Sequence, residues 1–286
     1  RSTYYLHKNK EKSKREQDNE LLKTRILDIW TRHNSCYGTK KVRNALLKEF
    51  AKSPETSPKT IAFNRVRRLM RELGISGIVI KKYKKPSKTD DSTPRTNIIN
   101  QDFYPIAKNK SWCTDITYIR VNGVWNYLTV IMDLFSRKIV GWTLSASLKA
   151  ENTIIPAIKM AYKARGCVSG ITVHSDQGTQ YTSKTYLNTI LSMQMIASYS
   201  KKGYPYDNAP LESFNSIIKR ERINRDFYYN ATEAKTAIFE YIEGFYNARR
   251  QHTSLGNRSP QEFEHDSENE SLIPIRSRPN RYKRKN

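Results

Sequence analysis

The stretch WCTDITYIRVNGVWNYLTVIMDLFSRKIVGWTLSA, residues 112–146, decides the fold. It divides into WCTDITYIR, VWNYLTVIMDLF and KIVGWTLSA, each of strand length and rich in β-branched and aromatic side chains. The breaks NG and SRK suit hairpin turns, so the spacing predicts a meander of three strands. Downstream, ENTIIPAIKMAYKA predicts a helix ending at Gly166, and ITVHS a fourth strand running into DQG. A helix over SKTYLNTILSM, a short strand near MIASYS and the loop KKGYPYDNAP follow. Two more helices are predicted, from about Leu211 through Arg225 and over TEAKTAIFEYIEGFYNARR. A meander followed by alternating helices and strands reads as an α/β mixed sheet with helices on both faces.

Upstream the period is helical. Leu21, Leu22, Ile26, Ile29 and Trp30 share one face, as do Val42, Ala45, Leu46 and Phe50, with Thr39 an N-cap for the second set. A third helix is expected to begin at SPKT, with Ser57 as cap and Pro58 at its first position. It would bury Ala62, Val66, Leu69, Met70 and Leu73 and stop at Gly74. Such short consecutive helices fit a helix-turn-helix arrangement. Arg65, Arg67, Arg68 and Arg71 lie away from most of the apolar stripe, which suits a major groove. A solvated basic face is the competing reading. The run KKYKKPSKTDDSTPRTN (residues 81–97) has the composition of a linker. The expected organisation is a small all-α domain over 1–80, a basic linker over 81–104, the α/β domain over 105–264 and a polar basic tail over 265–286.

The 286 residues carry 51 Lys plus Arg against 27 Asp plus Glu, a formal charge of +24. A charge of that size asks for a polyanion, and phosphate backbones gain affinity through counter-ion release. Hydrophobic residues at 37% suffice for a core and exclude wholesale disorder. The best apolar run, YLTVIMDLF, is interrupted by Asp133 and falls far short of the roughly 18 residues of a membrane span. With no apolar signal-peptide core near the start, a cytoplasmic location without membrane partners is expected. Cys36, Cys113 and Cys167 are far apart with no CxxC, and His7 and His33 are not paired, so neither a disulfide framework nor zinc is expected. The chain opens on Arg1, which suggests part of a longer reading frame.

Three acids stand out by context. Asp115 lies within a strand otherwise built for burial, costly without a partner such as a metal ion. Asp176 ends a strand and meets Gly178, at the sheet edge where α/β folds bind ligands. Glu212 opens the helix after DNAP. Each alone has an ordinary alternative as turn aspartate, cap partner or surface glutamate. Together, three carboxylates repel unless divalent cations join them, and hard oxygen ligands select Mg²⁺ or Mn²⁺. Two ions about 3.5–4 Å apart suit an in-line phosphoryl displacement with no protein nucleophile.

Thirty-five residues separate Asp176 from Glu212, and the local strings are WCTDITYI, VHSDQGTQYTS and YDNAPLESFNSIIKRE. With YGTKKVRNAL, VRRLMRELGI, IMDLFSRKIVGW and FYNARRQHTSLGNRSPQEFE, they closely resemble the DDE transposases of the bacterial insertion sequence 3 family, the second-frame catalytic protein. The resemblance runs from about Tyr37 to Phe263. It implies a ribonuclease-H-like fold similar to retroviral integrases, preceded by a helix-turn-helix domain. It also implies that Asp115, Asp176 and Glu212 are catalytic metal ligands, with Mg²⁺ as cofactor and Mn²⁺ a substitute. The implied activity nicks the ends of an insertion sequence and joins the freed 3′-hydroxyl to another phosphodiester. Implied partners are double-stranded DNA (terminal inverted repeats and target), further copies of the chain, and the first-frame protein of the same element.

Lys219, seven residues after Glu212 and so near the same helix face, matches the family's basic residue near the DNA end. Asp133 is expected at the end of the second strand in a structural role. His174 and Gln180 flank the second acid and are expected to support or pack beside it. Asn208 either orients backbone or DNA or makes the turn, and Arg249, Arg250 and His252 either grip phosphates or form a solvated helix end. The family's full product begins with a further DNA-binding segment and a leucine zipper that this sequence does not show. Two other readings share parts of this pattern: a DNA-binding regulator with a decayed catalytic domain, and a nuclease that hydrolyses rather than transfers.

Overall fold

A computed structural model describes residues 13–52, 58, 60–78, 96–201 and 205–269. The chain divides into two compact units, Arg1–Lys84 and Lys85–Asn286. In the first, helices α1 (Lys14–Arg32), α2 (Thr39–Lys52) and α3 (Phe63–Glu72) pack pairwise. Ser13 and Glu16 form a capping box that satisfies two orphan donors at the start of α1. Leu22, Ile26, Ile29, Val42, Leu46, Val66 and Leu69 are fully buried between the helices. Gly77 lies so close to Gly38 that a Cβ would stand 2.7 Å from its backbone, and Trp30 Nε1 donates to the Ser76 carbonyl.

The third helix starts later than its sequence suggests. Its N-cap is Ala62, with no side-chain cap, and Pro58 lies outside it. The carbonyls of Thr60 and Ile61 accept from Arg65 and Arg43 instead of entering the helix, while Ile61 is buried. Side-chain donors have thus outcompeted an extra turn. Ser57 lies outside the described residues. Gly74 ends the helix as expected, at φ 67°.

The second unit is built on β1 (Ser111–Val121), β2 (Val124–Asp133), β3 (Ile139–Ser145), β4 (Thr172–Ser175) and β5 (Ile196–Tyr199), in the order β3-β2-β1-β4-β5. The first three strands form the expected antiparallel meander, turned at Asn122 and Gly123, both at positive φ. β4 and β5 continue the sheet in parallel with β1. Helices α4 (Ile154–Ala164) and α5 (Lys184–Ser192) contribute to a core with Trp112, Ile131, Val140, Val173, Tyr181 and Tyr199. Helices α6 (Ala209–Glu221) and α7 (Ala231–Phe239) follow, the latter running on as a π-helix over Glu240–Asn247. Asn247 pairs with both backbone groups of Ile139 at 2.9 Å, much as a neighbouring strand would.

Residues 96–104, the described part of the segment read as linker, are tied to the sheet: Tyr199 N donates to the Thr96 carbonyl, and Ile99 is buried. The last helix, α8 (Pro260–Asn269), reaches past residue 264 into the segment read as tail. Its Glu264 accepts from Ser136 and Arg165, and Arg165 also reaches Asp133. Asp133 is fully buried and accepts from the Asn109 and Phe135 amides, the structural role expected of it.

Close helix–sheet approach is possible only because position 141 has no side chain. A Cβ there would lie 2.3 Å from the Ala157 carbonyl oxygen and 2.9 Å from Ala161 N. Gly141→Ala is expected to cost roughly 1–3 kcal/mol as overpacking, read as a lower urea midpoint; an unchanged midpoint would refute this packing.

Candidate active site

The carboxylates are brought together by strand register. Cys113 pairs with His174 across the parallel β1–β4 ladder. Asp115 stands two residues further along β1 and Asp176 directly follows Ser175, the last residue of β4; side chains alternate along a strand, so Asp115 shares the face of Cys113. That face is the one opposite Trp112 and Ile116, which belong to the α4–α5 core. It is covered by α6: Asn215 Nδ2 donates to Asp115 Oδ2 at 2.7 Å. Glu212, Asn215 and Lys219 fall at i, i+3 and i+7, one stripe of the helix turned toward this edge.

Asp115 is the electrostatic centre. Its other oxygen accepts from the Ile116 amide at 2.9 Å. Burial, then repulsion from Asp176 and to a lesser degree Glu212, push its carboxyl up to about 7 despite these two bonds. Asp176 is exposed and accepts from Gly178 N at 2.9 Å. A Cβ on Gly178 would stand 3.0 Å from both that carboxylate and the Gln180 amide oxygen, so glycine permits the turn. Glu212 is exposed in the first turn of α6. Lys219 feels Asp115: burial lowers its pKa and the carboxylate opposes that.

Among the described residues no three His, Cys, Asp or Glu side chains form a ready-made metal cluster. The donor set nevertheless fits a hard cation. Asp176 and Glu212 both act on Asp115, which burial and these neighbours hold protonated up to near neutrality, and the buried amide oxygens of Asn215 and Asn208 have no hydrogen-bond partner. Oxygen donors of this kind are what Mg²⁺ and Mn²⁺ take.

The surrounding residues sort clearly. His174 is buried, Nδ1 lies 2.9 Å from Ser198 Oγ, and burial lowers its pKa with Asp207 partly opposing. Asn208 is buried before α6 and contacts the Thr114 carbonyl through Nδ2 at 3.3 Å. His252 stacks edge-on against Tyr246, and exposed Arg249 donates to the Gly244 carbonyl at 2.7 Å.

Arg250 corrects an expectation. It is 5% exposed, and its Nε and Nη2 donate in a fork to Glu221 at 2.8 Å, where Tyr241 OH also donates. A guanidinium so buried and so engaged is an interior group, not a solvated helix end; it anchors the end of α6. Arg65 likewise turns inward, to Asn19, the Thr60 carbonyl and Asp18. Arg67 and Arg71 are exposed on α3, and Arg68 is exposed and pairs with Glu72 at 3.7 Å. Asn215 is the residue that sequence reasoning missed; its spacing of three after Glu212 and four before Lys219 was the available signal.

The chain matches the family described as Integrase core domain over residues 106–205, a second Integrase core domain family over 193–260, and an HTH-like domain over 16–83. "Transposase for insertion sequence element IS904" of Lactococcus lactis is 35% identical, covering 88% of this chain and 96% of that protein. "Transposase InsF for insertion sequence IS3A" of Escherichia coli is 32% identical over 88% of this chain and 85% of its own. A simian T-cell lymphotropic virus intasome structure matches 63% of this chain and 60% of its own at TM-score 0.47 and 18% identity, too loose to add to the sheet order.

Two outcomes are expected. Arg250→Ala should cost about 3–5 kcal/mol in urea denaturation, because it strands a buried Glu221; a loss under 1 kcal/mol would contradict the pairing. For Asp115, a folded pKa raised above the usual 3.8 means no cost below about pH 4 and a cost growing up to about pH 7. In chelator, Asp115→Asn should therefore raise Tm by several degrees at pH 8 and leave it unchanged at pH 4; equal Tm at pH 8 would remove the repulsion argument.

Proposed function

We infer, for a chain that belongs to the insertion sequence 3 family of transposases, that its integrase core is a Mg²⁺-dependent DNA strand transferase with Asp115, Asp176 and Glu212 as its catalytic carboxylates. The observation that carries this reading is the pairing of β1 with β4, which brings the end of β4 just before Asp176 near Asp115, with the helix bearing Glu212 bonded to Asp115 through Asn215. Bound divalent cations would supply charge neutralisation at the reacting phosphate and lower the pKa of the attacking hydroxyl. The three carboxylates, with the amide oxygen of Asn215 beside Asp115, are the groups that would hold those ions.

The chain's own contribution is placement and charge. Asn215 holds the Asp115 carboxylate through one oxygen and the Ile116 amide holds the other. Lys219, on the same stripe as Glu212, is set to meet a phosphate of the DNA end near the acids. Arg67, Arg68 and Arg71 offer the exposed basic face of the HTH-like domain for double-stranded DNA, the terminal repeats foremost. Joining one end to another phosphodiester requires two DNA segments held at once, which argues for several copies acting together.

Incubation with Mg²⁺ and DNA bearing the element's terminal repeats, followed by sequencing of junctions, tests this directly. Wild-type protein should produce joined ends. Asp115→Asn should reduce joining at least 100-fold while retention of labelled DNA stays within about threefold. Cleaved but never joined ends would favour the hydrolytic reading, and loss of binding with joining per bound complex intact would overturn the site.

A further inference from the structure

The turn before the helix that carries Glu212 is held from two sides, and one of those holds has no role in the chemistry so far described. The turn Pro205–Asn208 leads directly into α6. On one side Asn208 reaches the Thr114 carbonyl, next to Asp115. On the other, the buried carboxylate of Asp207 gathers three donors: Asn97 Nδ2 at 3.0 Å and Lys201 N at 2.9 Å on Oδ2, and Gln101 Nε2 at 2.8 Å on Oδ1.

Those partners are not a relaxed surface loop. Asn100 and Gln101 take φ of 44° and 62°, consecutive left-handed conformations that non-glycine residues rarely adopt. Such backbone persists where its surroundings over-determine it. Here Asn97 Oδ1 accepts from Asn100 N at 2.8 Å while its amide nitrogen serves Asp207, so one side chain both shapes the turn and ties it down. A second grip lies beside it. Ser198 Oγ accepts from Ile98 N at 3.0 Å and lies 2.9 Å from His174 Nδ1, so one hydroxyl joins this segment to the buried ring on β4.

We propose that Asp207 is a positioning residue: it latches the strained Asn97–Gln101 segment onto the turn that delivers Glu212, so that this latch sets the alignment of the catalytic helix with Asp115 and Asp176. This rests on the strand-transfer reading above. The segment it grips is the first described part of the unit, immediately after the stretch that joins it to the HTH-like domain in sequence.

The full chain carrying Asp207→Asn tests the latch. An amide has one acceptor oxygen and would set its NH₂ against a donor, either Gln101 or the Asn97 and Lys201 pair. Joining per bound complex should fall at least tenfold and the half-saturating Mg²⁺ concentration rise at least threefold. Amide hydrogen exchange over residues 209–213 should accelerate, with affinity for terminal-repeat DNA unchanged within twofold. Asn97→Asp combined with Asp207→Asn restores one opposed donor–acceptor pair and should recover several-fold of both joining and exchange protection. If Asp207→Asn fails to fold by circular dichroism, Asn97→Ala, at a partly exposed position, should show the same changes at smaller size. Unchanged exchange and unchanged Mg²⁺ requirement in the folded variants would overturn the latch, as would a double variant no better than Asp207→Asn. A wild type that never joins DNA, with exchange still responding as described, would overturn the strand-transfer reading and leave the latch standing.

Discussion

Parallel pairing between β1 and β4 is the constraint on which the rest depends. It sets Asp115 near the end of β4, where Asp176 follows, close enough for the two carboxylates to repel, an arrangement that is unfavourable in itself. Burial and like charge raise the Asp115 carboxyl to about 7, so the folded chain carries a repulsion the unfolded chain lacks. Few-kcal/mol penalties of this sort survive only where the surroundings hold the groups in place. The α4–α5 core on the opposite face does so, down to a glycine at position 141 that lets helix backbone lie against the strand.

Helix α6 is held in the same spirit at both ends. At its start, Asp207 and Asn208 anchor the preceding turn to the 97–101 segment and to β1. At its end, Glu221 is gripped by Arg250 and Tyr241 in a buried cluster. Buried ion pairs add little net stability but strongly penalise disruption, which makes them suited to fixing where an element lies. Between these anchors Glu212, Asn215 and Lys219 form one stripe of the helix.

Charge divides into two uses. Arg67 and Arg71 stay exposed on the third helix, available to a polyanion. Arg65, Arg165 and Arg250 are spent inside, satisfying carbonyls and buried carboxylates. The formal charge of +24 already subtracts the acids these arginines meet, so what the fold changes is which of the basic side chains a DNA backbone can reach.

Strand-length apolar runs, the NG turn and the helical stripes determined the elements of both units, since local periodicity depends only on which faces must be buried. Asp115 was legible for a related reason, since an acid amid residues built for burial is anomalous wherever the strand ends up; Asp176 and Glu212 stood out by a strand end and a helix start, and joined it through the resemblance of the strings around them. Asn215 left only a spacing signal, because its role is a contact between elements a hundred residues apart. The third helix began later than its Ser-Pro signal because arginine side chains took the carbonyls that another turn would have used. Arg250 read as a basic helix end, and only the approach of Glu221 and Tyr241 made it an interior anchor. Sequence alone thus determined which segments fold and which residues are chemically conspicuous; tertiary structure decided partnership, since whether a charge faces solvent or a buried counter-charge depends on chain brought in from elsewhere.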